Sequence, residues 1–305
     1  MYKLQKFLIC AVAAVIASCA IGCNAGENSE KSQIKHLIVL CGQSNAVGYS
    51  HNEYLTGTEF ESSLQGYETV EINKNYGEGA NKYEKKMVSV VAGLGTSFAA
   101  FGPELGIAKA ISESDYSGNT AIVKYAVGGT ALDPKSGKWV GKTYWNASSA
   151  QFEDCASEGT LYSDLCSTVE FVIRTYEAKN CTPVIEAICW MQGENDAIAG
   201  CYSRYDSLEI EMVSDFRARF AAYAGADGIA FINAGISTFW KNYVELNDKK
   251  KASVSALGSA EYIDTVAMGL EYDKEPEEKP DGAHFDAVSM IKLGYEFGTR
   301  ALKFF

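Results

Sequence analysis

Ser44 stands in Gly42-Gln43-Ser44-Asn45, directly after the apolar run His36-Leu37-Ile38-Val39-Leu40-Cys41. A short β-branched run that ends at glycine and a small hydroxyl residue reads as a buried strand turning into a loop. Such a turn lifts one side chain to the carboxyl end of a sheet, where open α/β folds place their chemistry. A serine there becomes a nucleophile only if a base takes its proton, and the chain holds three histidines. His36 enters the strand a whole strand length upstream and points to the wrong end of the sheet. His51 lies in a polar loop with only Glu53 nearby to orient it. His284 stands in Asp281-Gly282-Ala283-His284-Phe285, where the spacing lets the Asp281 carboxylate meet one ring nitrogen while the other faces a hydroxyl. Alone, Asp-x-x-His is an ordinary helix start. Beside the serine turn it implies a nucleophile, a base and an orienting acid.

Two more segments carry polar groups at strand ends. Thr182–Trp190 is an apolar strand that runs into Met191-Gln192-Gly193-Glu194-Asn195-Asp196. Acidic residues directly after a buried strand need partners, because desolvated carboxylates are costly unless paired. Ala121–Val127 ends in Gly128-Gly129-Thr130, and a glycine pair lets a backbone N–H approach a ligand as an oxyanion donor would. Cys41 is the alternative nucleophile, but its position within the strand favours packing.

These four segments, in this order, resemble the SGNH hydrolase superfamily. Within it they look most like the branch of sialate O-acetylesterases and acetylxylan esterases. The resemblance rests on Gly-Gln-Ser-Asn at 42–45, Gly-Gly-Thr at 128–130, Trp-Met-Gln-Gly-Glu-Asn-Asp at 190–196 and Asp-Gly-Ala-His at 281–284. One short motif would be weak, whereas four in order across almost the whole chain are specific. The resemblance implies a three-layer α/β/α fold around a flavodoxin-like parallel sheet of about five strands. It implies Ser44 as nucleophile, His284 as base and Asp281 as orienting acid, with Glu194 the alternative acid. It also implies oxyanion donors from the Ser44 and Gly128 N–H groups. Many superfamily members supply a third donor from an asparagine, and here that block differs, which makes Gln192 the first choice and Asn195 the reserve. Gln43, Asn45 and Gly129 are expected to meet the substrate. The activity implied is removal of O-acetyl groups from a carbohydrate such as acetylated xylan, another polysaccharide or sialic acid. No metal or organic cofactor is implied. The competing reading is a catalytically silent, surface-anchored carbohydrate-binding lipoprotein.

Residues 1–23 hold two lysines, a short apolar run and small residues, the pattern of a bacterial export signal too short to span a membrane. Ile16-Ala17-Ser18-Cys19 resembles a lipobox that would make Cys19 the lipidated terminus, with Cys23 the alternative. Residues 24–33 read as a tether and residues 34–305 as one esterase domain. Export to the cell surface or periplasm is expected, with membrane contact only through a lipid anchor, and a monomer. A net charge of −12 argues against nucleic-acid partners and disfavours polyanionic substrates. An exported chain can form disulfides, and Cys155 and Cys201 are candidates to pair.

Strand signals at 36–41, 68–72, 120–127, 183–190 and 228–236 alternate with helical patterns, as a parallel sheet with covering helices requires. Apolar stripes run through Leu165, Val169, Val172, Ile173 and Tyr176, through Leu208, Met212, Phe216, Phe220 and Tyr223, and through Val288, Ile291, Tyr295 and Leu302. Residues 133–162 carry Trp139, Tyr144, Trp145 and Phe152, and Trp139 and Trp145 are expected to stack on sugar rings. The acidic stretch 271–280 reads as a solvated flap.

Overall fold

β1 (Gln33–Gly42) owes its place to composition, for every residue from Leu37 to Gly42 is buried. A strand that is apolar on both faces can be satisfied only inside a sheet covered on both sides. The computed structural model describes residues 32–73, 86–137, 143–149 and 151–305, and Ser32–Phe305 form one unit. The export-signal and lipobox segment and Trp139 lie outside the described residues.

After β1 come the short helix α1 (Ser44–Val47), β2 (Ser50–His51), β3 (Tyr67–Asn73), β4 (Met87–Val90), β5 (Ala100–Phe101) and α2 (Pro103–Ser112). β6 (Thr120–Ala126), α3 (Thr160–Glu177), β7 (Cys181–Met191), α4 (Glu194–Ala199) and α5 (Tyr205–Arg219) follow. The chain ends with β8 (Ala230–Ala234), α6 (Tyr243–Ala256), β9 (Ala260–Ile263) and α7 (Ala287–Ala301). The main sheet has seven strands in the order β4-β3-β6-β1-β7-β8-β9. Its five strands β6-β1-β7-β8-β9 are all parallel. Counted along the chain they run 2-1-3-4-5, the flavodoxin-like order expected. β3 extends this core in parallel next to β6, and β4 closes the edge antiparallel. β4 and β9 escape sequence reading because each has four residues, three of them half-exposed.

α2 and α7 cover one face of the sheet, and α3, α5 and α6 the other. α2 and α7 touch backbone to backbone: a side chain on Gly106 would lie 2.3 Å from the Ile291 carbonyl, and one on Gly294 would lie 2.2 Å from that of Pro103. The stripe of α3 is buried as expected, and so are Leu208, Met212 and Phe216 of α5, whereas Phe220 is buried at the cap of that helix and Tyr223 lies beyond it, half-buried. That of α7 is rotated, since Met290, Ile291, Leu293 and Phe297 face inward while Tyr295 is exposed.

An ion pair that lies wholly inside fastens the sheet to this layer. Lys124 on β6 donates to Glu104 Oε2 of α2 at 2.7 Å, to the Val47 carbonyl at 2.7 Å and to the Leu94 carbonyl at 3.1 Å. Both side chains are fully buried, and burial pulls the Lys124 ammonium below its ordinary pKa. The pair joins sheet, covering helix and the end of α1. Lys124→Met would strand the Glu104 charge and is expected to destabilise the fold by roughly 3–5 kcal/mol. Urea denaturation would measure this, and a loss under about 1 kcal/mol would refute the bridging role.

Candidate active site

Register brings the chemistry together. In the parallel ladder Gly42 lies beside Ala126 on one side and Met191 on the other. The loops bearing Ser44, Gly128 and Glu194 therefore leave the sheet from one row. Hydrogen bonds continue the row past the strands, from Gln43 N–H to the Met191 carbonyl at 2.9 Å and from Val127 N–H to the Gly42 carbonyl at 3.1 Å. Gly42 has φ +138°, and a Cβ there would sit 1.9 Å from the Met191 carbonyl oxygen, so no other residue fits. Ser44 opens α1 and is 7% exposed, which leaves it reachable at the edge of a packed turn. Gly128 and Gly129 are partly exposed on the neighbouring loop.

His284 is paired as the spacing implies. Its Nδ1 lies 2.6 Å from Asp281 Oδ2, and Asp281 Oδ1 accepts the Ala283 N–H at 3.1 Å. A proton on Nδ1 donated to Asp281 leaves Nε2 as a free acceptor, the tautomer a general base needs. The imidazole stacks flat on Tyr49, with centroids 4.1 Å apart and planes 7° from parallel. Asn45, the residue after Ser44, holds the loop. Its Oδ1 accepts the Phe285 N–H at 3.1 Å, and its Nδ2 donates to the Ala283 carbonyl at 3.4 Å and to Glu194 Oε1 at 2.9 Å. One buried amide thus bonds on both sides of His284 and to Glu194.

Several expected substrate contacts are engaged elsewhere. Asn45 is 2% exposed with both polar atoms in use, so it braces the site and does not face a ligand. Gln43 is equally buried, and its Oε1 accepts from Gln192 Nε2 at 3.3 Å and from the Asn195 N–H at 3.4 Å. Gln192 is fully buried. Its amide nitrogen points to Asp196 Oδ2 at 2.7 Å, the Thr130 carbonyl at 3.1 Å and Gln43, and its oxygen accepts from Tyr205 at 2.7 Å. An amide with two hydrogens and three such acceptors has none left for an oxyanion. Asn195 Nδ2 likewise donates to the Thr130 carbonyl at 3.0 Å. Glu194 is fully buried, and burial lifts its pKa above the usual carboxylate range. Its contact is Asn45, while its Oε2 has no hydrogen-bond partner.

Trp145 corrects an expectation outright. It is fully buried, edge-on to Trp190 at 5.3 Å and Tyr125 at 5.7 Å, and it donates to Thr130 Oγ1 at 2.8 Å. Packing consumes its faces, so it supports the glycine loop and cannot stack on a sugar. Cys155 and Cys201 are free thiols, not a disulfide, and Cys155 is buried with its pKa pushed up to about 11. Cys41 is fully buried and its thiol is pushed up by that burial, which removes it as a nucleophile. His36 sits at the opposite sheet edge, bonded to Glu186 at 2.6 Å and stacked on Phe305. His51 lines a small cleft together with Asp281 and His284. The flap at 271–280 is partly tied down: the Asp286 carboxylate accepts the Lys274 and Glu275 N–H groups, and Glu275 accepts the Ala287 N–H at 2.7 Å.

Comparison with known proteins agrees with this arrangement. The family model for carbohydrate esterases of the sialic acid-specific acetylesterase type matches residues 34–303. No curated protein sequence matches the chain. Among solved structures the chain is similar to a protein of Arabidopsis thaliana at 16% identity and TM-score 0.62, over 88% of this chain and 98% of that one. It is similar to NanS at 16% identity and TM-score 0.61, over 90% and 98%. A third likeness, at 12% identity and TM-score 0.55, is to a carbohydrate acetylesterase of Xanthomonas citri, over 88% of this chain and 56% of that one. At such identities these structures speak for the fold. The family match, which runs across nearly the whole described chain, makes this protein a member of the sialic acid-specific acetylesterase family of carbohydrate esterases, ester-hydrolysing enzymes of the SGNH type.

Proposed function

We propose that the chain removes O-acetyl groups from a carbohydrate through a covalent acetyl-serine. The observation that carries this reading is the His284–Asp281 pair at 2.6 Å, on a loop that Asn45 ties to the helix opened by Ser44. In the proposed reaction His284 Nε2 takes the Ser44 proton while Oγ adds to the acetyl carbonyl. Negative charge collects on the carbonyl oxygen beside the N–H groups of Ser44 and Gly128. The sugar oxygen then leaves with the proton from His284. Water, deprotonated by the same imidazole, releases acetate and restores Ser44.

Asp281 is the orienting acid in this proposal, and Glu194 fixes Asn45 from below. Gln192 and Asn195 hold the Thr130 loop in place. The substrate is an O-acetylated glycan such as acetylated xylan, another polysaccharide or a sialic acid. The silent-lectin reading gains nothing from the family assignment, and one of its two candidate platforms, Trp145, is buried. For location we propose export and anchoring through Cys19, on the lipobox alone. If that is right, Cys19→Ser should move the protein from the membrane to the soluble fraction, and a purely soluble wild type would rule the anchor out.

Acetate release from a small acetyl ester tests the reaction. Ser44→Ala is expected to lower kcat by about 10⁴-fold or more with the far-UV spectrum intact. Turnover near wild type in that variant would exclude Ser44 as nucleophile. Asp281→Asn is expected to lower kcat on the order of 10³-fold by presenting the wrong tautomer, and Glu194→Gln far less. The opposite ranking of those two variants would transfer the orienting role to Glu194.

A further inference from the structure

We infer that the loop between β8 and α6, with the start of the acidic flap, forms a subsite for a neutral sugar ring adjoining the acetylated one. This rests on the esterase reading above. The loop leaves β8 at the same carboxyl edge as Ser44. On one side it packs against the turn before Glu194: a side chain on Gly193 would lie 2.3 Å from Leu246 Cδ2 and 3.3 Å from Ile236 Cγ2. Asn242 also donates to the Ala197 carbonyl at 2.7 Å. On its other side the Phe239 ring lies over Gly282, where an added Cβ would be 2.7 Å from Cε2. Gly282 is between Asp281 and His284, so Phe239 borders the histidine loop itself.

Phe239 is nonetheless 48% exposed. A phenyl ring half in water beside a proposed ester-cleaving centre presents apolar area that a pyranose face can cover. Trp240 meets it edge-on at 5.0 Å, and Tyr272 stands 6.1 Å away. Tyr272 is fixed by a 2.6 Å hydrogen bond between its hydroxyl and Thr238 Oγ1. Next to this pair opens a cavity of about 250 Å³, whose lining includes Thr238, Thr265, Glu271, Tyr272 and Asp273. That volume accommodates one sugar ring. Carboxylates and hydroxyls accept hydrogen bonds from sugar hydroxyls, whereas a sugar carboxylate would meet Asp273 as a like charge, beside Glu271 in its ion pair with Lys274. The geometry therefore suits a neutral glycan better than an acidic one.

The test compares the full-length protein with Phe239→Ala and Phe239→Trp on an acetylated xylo-oligosaccharide, a small acetyl ester and an O-acetylated sialic acid. Phe239→Ala is expected to lower the ratio of kcat/KM on the oligosaccharide to that on the small ester by about tenfold, chiefly through KM. Phe239→Trp should keep the ratio near wild type. A ratio unchanged by alanine, an equal fall with tryptophan, or a wild-type preference for the sialic acid overturns the subsite. Should the wild type cleave no ester, the esterase reading fails, and binding decides the subsite separately. Deacetylated xylo-oligosaccharide should then quench tryptophan fluorescence in the wild type and not in Phe239→Ala, and no binding at all refutes it.

Discussion

Asn45 can satisfy its buried amide only when three parts of the chain far apart in sequence converge. Its partners are the Phe285 N–H, the Ala283 carbonyl and Glu194. An unmet buried amide costs on the order of 1–3 kcal/mol for each group left unpaired, so the fold and the site are stabilised by the same bonds. The turn that carries Ser44 cannot close without drawing in the histidine loop. Because α7 follows that loop and packs backbone to backbone on α2, the loop's position is set by the body of the protein and not by its own few residues.

Beneath this clamp lies a dry, charged layer. Glu194, Asp196 and Glu209 are fully buried near one buried ammonium, Lys250, which donates to the Gln192 carbonyl at 2.5 Å and lies 3.9 Å from Glu209. One cation cannot neutralise three carboxylates, and burial pushes Asp196 and Glu209 up to about 7. Asp196 offsets part of its desolvation by accepting the Leu132 and Asp133 N–H groups at 3.0 and 2.8 Å. Those bonds hold the segment after Gly128-Gly129-Thr130 against the turn after β7. Polar residues that look like substrate contacts in a one-dimensional reading are thus spent on fastening one loop to another.

Sequence reading reaches as far as periodicity and local spacing reach. Four strands of the parallel core, β1, β6, β7 and β8, are apolar runs, and the Asp281–His284 pair is three residues apart, so both were legible. What lay hidden depends on depth. A tryptophan in an irregular loop looks available to a ligand, and nothing local reveals that Trp145 packs between Tyr125 and Trp190. Gln43, Asn45 and Gln192 carry the functional groups of a binding site, but partners that engage them lie far along the chain, Thr130 62 residues from Gln192 and Phe285 240 residues from Asn45. Cys155 and Cys201 sit in polar surroundings, yet burial of one and the free thiols of both are tertiary outcomes. Phe239 lies in the loop after β8, where no periodicity marks its side, and the chain turns it outward over Gly282.

The two carboxylates around His284 show how hydration divides their tasks. Asp281 is partly exposed, with 38% of its side chain open to solvent, and its bond to Nδ1 fixes the ring. Glu194 is sealed, and a charge there would be supported by Asn45, its own backbone N–H and the fields of Lys250 and His284, against a larger cost of burial. A carboxylate in that position gains little by approaching an imidazole, because any proton it drew from Nδ1 would also relieve its own desolvation. It would then compete for the proton it is meant to leave in place. An orienting acid must prefer to remain ionised throughout the cycle. By that criterion the solvated aspartate is the one to propose as partner for the histidine, and the buried glutamate the one to propose as anchor beneath the asparagine.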